Sequence, residues 1–167
     1  SRGTAARTDT SETPEAIGRD IGSEAPSRRA VAELTVVVPT FAERDNVAEL
    51  IGRLRETLAG VDWEVIFVDD DSPDGTARSV RALAAGDPQV RCIRRVGRRG
   101  LAGACVEGIL SSSAPIVAVM DADLQHDETI LPRMLAAIRG GNDLVVASRF
   151  LDGTGEMEGL SPIRRWG

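Results

Sequence analysis

Ile116-Val117-Ala118-Val119-Met120-Asp121-Ala122-Asp123 decides how the rest of the chain is read. Its first five residues are an apolar run of strand-forming type, and two carboxylates follow at once. A buried strand ends in paired acids where something positive meets them. A hard divalent cation, Mg2+ or Mn2+, suits such a pair of oxygen donors. If extended geometry persists past Met120, Asp121 and Asp123 share a face, because side chains two apart point the same way. An acid-x-acid triplet alone reads about as well as a solvated turn. The weight therefore falls on what surrounds it.

The same design recurs along the chain. Residues 34–38 are a β-branched run stopped by Pro39, and 65–68, 90–93 and 144–147 are further short apolar runs. Between them, Val47, Leu50, Ile51, Leu54 and Leu58 repeat at helical spacing, with Asp45 and Asn46 as natural caps. Helices are also predicted over 76–85, over 101–110, where small residues permit close packing, and over 130–138, with Pro132 tolerated in the first turn. Strands alternating with helices predict a parallel sheet covered on both faces. Ligands bind beyond the carboxyl ends of such strands. The polar clusters fall there: residues 39–43, 69–71, 121–125 and Ser148-Arg149.

Those clusters suggest specific chemistry. Asp121 and Asp123 would hold a metal carrying a diphosphate, with Gln125 as a neutral ligand or hydrogen-bond partner. The second strand ends in Asp69-Asp70-Asp71. A metal is one use for those acids. A better one is base recognition, since a carboxylate accepts from the ring N–H and amino groups of guanine or the ring N–H of uracil. Phe41 can pack against a base, and Glu43 can accept from a base or ribose. Arg149 can pair bidentately with phosphate. Arg164 and Arg165 lie beyond an acidic, glycine-rich loop. The run Arg91, Arg94, Arg95, Arg98 and Arg99 reads as a solvated face, and His126, the only histidine, as incidental.

Composition limits the classes further. A chain of 167 residues suits one domain, and a net charge of −6 argues against a nucleic-acid partner. Every basic side chain is arginine. Cys92 and Cys105 lack metal-ligand spacing and read as buried free thiols. No apolar run reaches the ~18 residues of a membrane span, and no signal-peptide core is present. Residues 1–32, rich in Ser, Thr, Pro, Gly, Glu and Arg, predict a disordered tail ahead of a domain over 33–167. The absence of lysine disfavours a phosphorelay receiver, a phosphatase of the haloacid dehalogenase type and a P-loop. Pro39-Thr40-Phe41-Ala42-Glu43 in place of a glycine-rich turn disfavours a dinucleotide site.

The stretches VVVPTFAERDNV, EVIFVDDDSPDGT, RRGLAGACVEGI, VMDADLQH and LVVASRF, from about residue 34 to 150, resemble glycosyltransferase family two. They look most like its dolichol-phosphate and polyprenyl-phosphate mannose synthases. The resemblance implies the GT-A fold, a Rossmann-like α/β/α sandwich with a mostly parallel sheet, truncated here at the C-terminus. It implies that Pro39, Phe41, Glu43, Val68 and Asp70 line the nucleotide pocket. Asp121, Ala122, Asp123 and Gln125 would hold the diphosphate and Mg2+ or Mn2+. Arg149 and Arg164 would meet the acceptor phosphate, with Asp123 and Arg149 as the catalytic pair. Phe41 stands where the family often has tyrosine, and Asp127-Glu128 where prolines are common. Relatives continue into acceptor-site helices that this sequence lacks, so the acceptor part is expected to be incomplete. The implied reaction is inverting transfer of a hexose, mannose from GDP-mannose, to a polyprenyl phosphate at the cytoplasmic face of a membrane. The alternative is a UDP-sugar donor on the same fold.

Overall fold

The computed structural model describes residues 31–125 and 127–147. The expected tail falls almost wholly outside them. The chain alternates strand and helix: β1 (Leu34–Thr40), α1 (Val47–Thr57), β2 (Trp63–Asp69), α2 (Thr76–Ala84), β3 (Val90–Arg94), α3 (Leu101–Leu110), β4 (Ile116–Val119) and, after a short 3-10 turn (Glu128–Ile130), α4 (Leu131–Arg139). All strand pairings are parallel, in the order β3-β2-β1-β4.

Strand alternation divides the core between two faces. Val36 and Val38 of β1, with Val65 and Phe67 of β2, pack with Leu50, Ile51 and Leu54 of α1 and Val80 of α2. On the other face Val37, Ile66 and Val68 pack against Ala104 of α3. Each fully buried aliphatic or aromatic side chain contributes roughly 1.5–3 kcal/mol. α3 lies close because Gly108 has no side chain: a Cβ there would stand 2.4 Å from Val37 Cγ1 and 3.0 Å from Val68 Cγ2.

Several boundaries differ from the sequence reading. Pro39 does not stop β1; it pairs with Val68, and the strand runs on to Thr40. Val37 turns its polar groups toward β4, accepting from the Met120 amide at 3.1 Å. Pro39, two residues on, directs its nitrogen the same way, past the last β1–β4 pair, Val37↔Val119. No ladder bond is lost there, which is where a strand tolerates proline. Residues 144–147 form no strand, and Leu144 and Val146 are exposed. A parallel strand exists only where a neighbour pairs with it, and β4 carries no second partner among the described residues. Asn46 precedes α1 but makes no side-chain cap; its Nδ2 instead donates to Glu43 Oε2 at 2.6 Å. Pro132 lies in the first turn of α4, as predicted. The cysteines are free but only half-buried, and burial pushes both thiols up. Among the described residues, no helix is long and apolar enough to cross a membrane.

Candidate functional site

The strand order sets the location. From β1 the chain steps outward to β2 and β3, then crosses back through α3 to place β4 on the other side of β1. The carboxyl ends of β1 and β4 therefore flank a topological switch point, where open α/β sheets bind ligands.

The β1 and β2 ends are fastened together by side chains. Asp69, fully buried, accepts from the Ser72 amide at 3.0 Å and from the Ser72 hydroxyl. That hydroxyl accepts in turn from the Ala42 amide at 3.0 Å. Asp74 accepts from the Thr76 amide at 2.9 Å, the Thr76 hydroxyl at 2.6 Å and the Arg44 amide at 3.1 Å. The Thr76 hydroxyl accepts from the Glu43 amide at 3.1 Å. Burial acts to raise the Asp74 carboxyl. The Thr76 hydroxyl and amide, with the Arg44 amide, outweigh it and hold the group below the ordinary carboxylate range. Ala42 and Asp71 both have left-handed backbone, at φ 59°, where the two loops turn.

The acidic triplet of β2 divides its work. Asp69 holds the turn. Asp71 pairs with Arg94 at the surface. Asp70 is only 7% exposed, and both its oxygens are engaged. Oδ1 accepts from Arg95 Nη1 at 2.6 Å, and Oδ2 from the Gly100 amide at 2.7 Å. Arg95 is 5% exposed, so it is no part of a solvated arginine face. Breaking a buried pair of this kind from one side costs about 3–5 kcal/mol. Arg99 also leaves the expected solvated face: its guanidinium lies 4.8 Å from the centre of the Phe41 ring, within cation–π range. Phe41 is 48% exposed, which rules out simple core packing.

On the β4 side the alternation outlasts the strand. Met120 and Ala122 are buried in the α1-side core with Leu131, while Asp121 is exposed and Asp123 half-exposed. The two acids thus point away from that core. The Asp121 charge reaches Cys105 of α3, where it adds to burial in pushing the thiol up. The turn closes at Leu124, φ 57°, with the Gln125 amide donating to Asp123 Oδ1 at 3.0 Å. Asp127 and Glu128, which stand where prolines are common in the family, do local work. Asp127 caps the 3-10 turn through Thr129, whose hydroxyl and amide hold the carboxyl below its ordinary range. Glu128 is buried 3.5 Å from Arg53.

Phe41 and Asp70 of the expected site are joined by one loop, residues 95–100, on the α3 side of the rim. Asp121 lies on that side too. Val68 stands behind the rim, wholly inside the core, and Ala122 is likewise buried. Pro39 is half-buried at the end of β1, and the Glu43 carboxylate is held by Asn46. Arg149, Arg164, Arg165 and His126 lie outside the described residues. The sequence reading missed Arg95 and Arg99. Their signal was position, directly after β3 on the same rim, and it was discounted because arginine runs are usually solvated.

Asp121 and Asp123 supply hard oxygen donors at the carboxyl end of β4. Among the described residues, no group of three or more acids, histidines or cysteines is arranged to hold a metal ion by itself. Two protein carboxylates leave coordination positions for diphosphate oxygens and water, the arrangement magnesium and manganese favour. The residues present fit such an ion.

Residues 35–165 match the family model described as glycosyl transferase family 2. The chain belongs to that family. It is 39% identical over 121 residues to a dolichol-phosphate mannosyltransferase of Pyrococcus furiosus, covering 72% of this chain and 34% of the relative. It is 38% identical over 120 residues to an undecaprenyl-phosphate mannosyltransferase of Micrococcus luteus, covering 70% and 48%. Among solved structures it resembles a mannosyltransferase from Pyrobaculum calidifontis in complex with GDP-Man and Mn2+, with TM-score 0.51 and 28% identity, covering 61% of this chain and 30% of that one. The fold is accordingly the GT-A type of parallel α/β sheet. The chain spans between a third and a half of the length of these curated relatives.

Proposed function

We propose that this family 2 chain forms the donor-binding part of a metal-dependent inverting glycosyltransferase that moves mannose from GDP-mannose to a polyprenyl phosphate. The observation carrying this reading is that Phe41, Asp70 and the Asp121–Asp123 pair follow the carboxyl ends of three adjacent parallel strands, in a chain whose relatives bear mannosyltransferase names. Phe41 offers an exposed ring face to the base beside Pro39, with Val68 behind it in the α3-side core. Asp70 accepts from guanine N–H groups through lone pairs that Arg95 and Gly100 leave free. Glu43 accepts from the base or a ribose hydroxyl. Asp121, Asp123 and Gln125 would hold Mg2+ or Mn2+, which neutralises charge building on the departing diphosphate.

In the reaction, an oxygen of the acceptor phosphate attacks the anomeric carbon from the face opposite the diphosphate. The new C–O bond forms as the old one breaks, and its electron pair leaves with GDP, inverting the centre. The acceptor needs no strong general base, since a phosphate monoester has its second ionisation near about pH 6. Catalysis then rests on positioning and charge, with Arg149 and Arg164 assigned to the acceptor phosphate. The acceptor is a membrane lipid, so the working location is peripheral, at the cytoplasmic face.

The test is a binding titration of GDP-mannose and UDP-glucose, with and without Mn2+, on the chain and its Asp123→Ala variant. GDP-mannose should bind more tightly, with Mn2+, and the variant should lose roughly tenfold or more. Tighter UDP-glucose binding would transfer the reading to a UDP-sugar donor. Binding indifferent to Mn2+ and to Asp123 would remove the metal role.

A further inference from the structure

Loop 95–100 is fastened at three points to the residues that would read the base. Arg95 Nη1 joins Asp70 Oδ1 at 2.6 Å and the Gly100 carbonyl at 3.1 Å. The Gly100 amide closes the ring onto Asp70 Oδ2 at 2.7 Å. Arg99, between them, lies across Phe41. Gly97 and Gly100 carry positive φ, 71° and 130°, which lets the loop fold back on itself. Gly103 of α3 makes room for the buried guanidinium: a Cβ there would stand 2.6 Å from Arg95 Nη2.

We infer that Arg95 is the positioning residue of the base pocket: it orients the Asp70 carboxylate and holds loop 95–100 so that Arg99 forms a wall beside Phe41. Three observations carry this. First, Arg95 is buried among polar partners at a rim where an arginine would ordinarily reach solvent. Second, Asp70 has each oxygen fixed by one donor, which leaves one lone pair on each oxygen in a set direction. That is the pattern a guanine edge needs from a carboxylate, two parallel acceptors for the ring N–H and the amino group. Third, Arg95 Nε has no hydrogen-bond partner, although Glu107 Oε2 lies 3.3 Å away. The Glu107 oxygen is near enough for ion pairing but off the N–H axis. The guanidinium plane is therefore set by Asp70 and Gly100 at the expense of Glu107.

The inference rests on the nucleotide reading, and its test separates the two. GDP and IDP binding is measured for the full chain, Asp70→Asn, Arg95→Met, Arg95→Lys and the Asp70→Asn/Arg95→Met double variant, with Arg91→Met as a surface control. IDP lacks the amino group, so the GDP/IDP affinity ratio reports on the carboxylate's direction rather than on pocket integrity. Arg95→Met should weaken GDP by roughly tenfold and bring the ratio toward one, and Arg95→Lys, which lacks the planar fork, should do so in part. In the Asp70→Asn background, Arg95→Met should add little further loss. Should Arg95→Met fail to fold, Arg95→Lys and the double variant, which leaves no buried charge unpaired, carry the same readout. Folded Arg95 variants with an unchanged ratio, or losses that simply add to those of Asp70→Asn, overturn the positioning role while nucleotide binding stands. A chain that binds neither nucleotide overturns both.

Discussion

Gly108 and Gly52 are both helical glycines, and their surroundings make opposite demands. At Gly108 a methyl group meets two buried valines, Val37 and Val68, which cannot retreat inside the sheet. Gly108→Ala should cost about 1–3 kcal/mol, the usual price of overpacking. Gly52, within α1, has nothing within 4 Å of a built Cβ. Gly52→Ala should stabilise by about 0.5–1 kcal/mol through helix propensity. Urea unfolding midpoints check both, and a Gly108→Ala midpoint at or above wild type would show that α3 is free to shift outward. At this scale the sequence was only partly legible. Asp70, Asp121 and Asp123 could be placed on a rim because each follows an apolar run. What binds Asp70 could not, because Arg95 comes 25 residues later and becomes its neighbour only through the parallel pairing of β2 with β3. Arginine type alone does not distinguish a buried anchor from a solvated charge.

Between elements, the loops after β1 and β2 act as one unit because Ser72, Asp74 and Thr76 each bond across the gap or support a group that does. Asp74 is the exposed member, and its carboxyl is held below the value expected in an unfolded chain, about 3.9. A carboxyl depressed by folding adds stability above its unfolded pKa and loses it as pH falls through the folded value. Asp74→Ala should therefore cost roughly 1 kcal/mol near neutral pH, in the range of a lost helix cap. The difference from wild type should narrow as pH drops below about 4. Thermal melts of both proteins across pH 2.5–7 (~5 points) would check this, and a gap independent of pH would mean the charge on Asp74 is immaterial. Element types were read correctly wherever period and length agreed, as in α1, α3 and α4. Ends were harder. Pro39 ended the predicted strand on chemistry alone, whereas the ladder next to it had already stopped. Residues 144–147 have strand composition but no neighbour to pair with among the described residues, a fact no local pattern encodes.

Across the whole molecule, β1 is the hub, and its two neighbours arrive from different distances along the chain. β2 follows after a single helix, while β4 must wait for α2, β3 and α3. Closing the longer loop costs more chain entropy, and β4 has only four residues with which to offset it. Native-state hydrogen exchange should find the Ala118 and Met120 amides, which face β1 from the β4 side, less protected than those of Ile66 and Val68, which face it from β2. Equal protection would mean that β4 opens only with the whole sheet. The residues proposed to read the base, Asp70 and Phe41, sit on the secure side of β1 and the paired acids Asp121 and Asp123 beyond the less secure one. A transient lifting of β4 would carry those acids away and leave Asp70 and Phe41 in place. A nucleotide held as proposed would then depart in sequence, its charged end loosened first by the protein's own breathing and its base last.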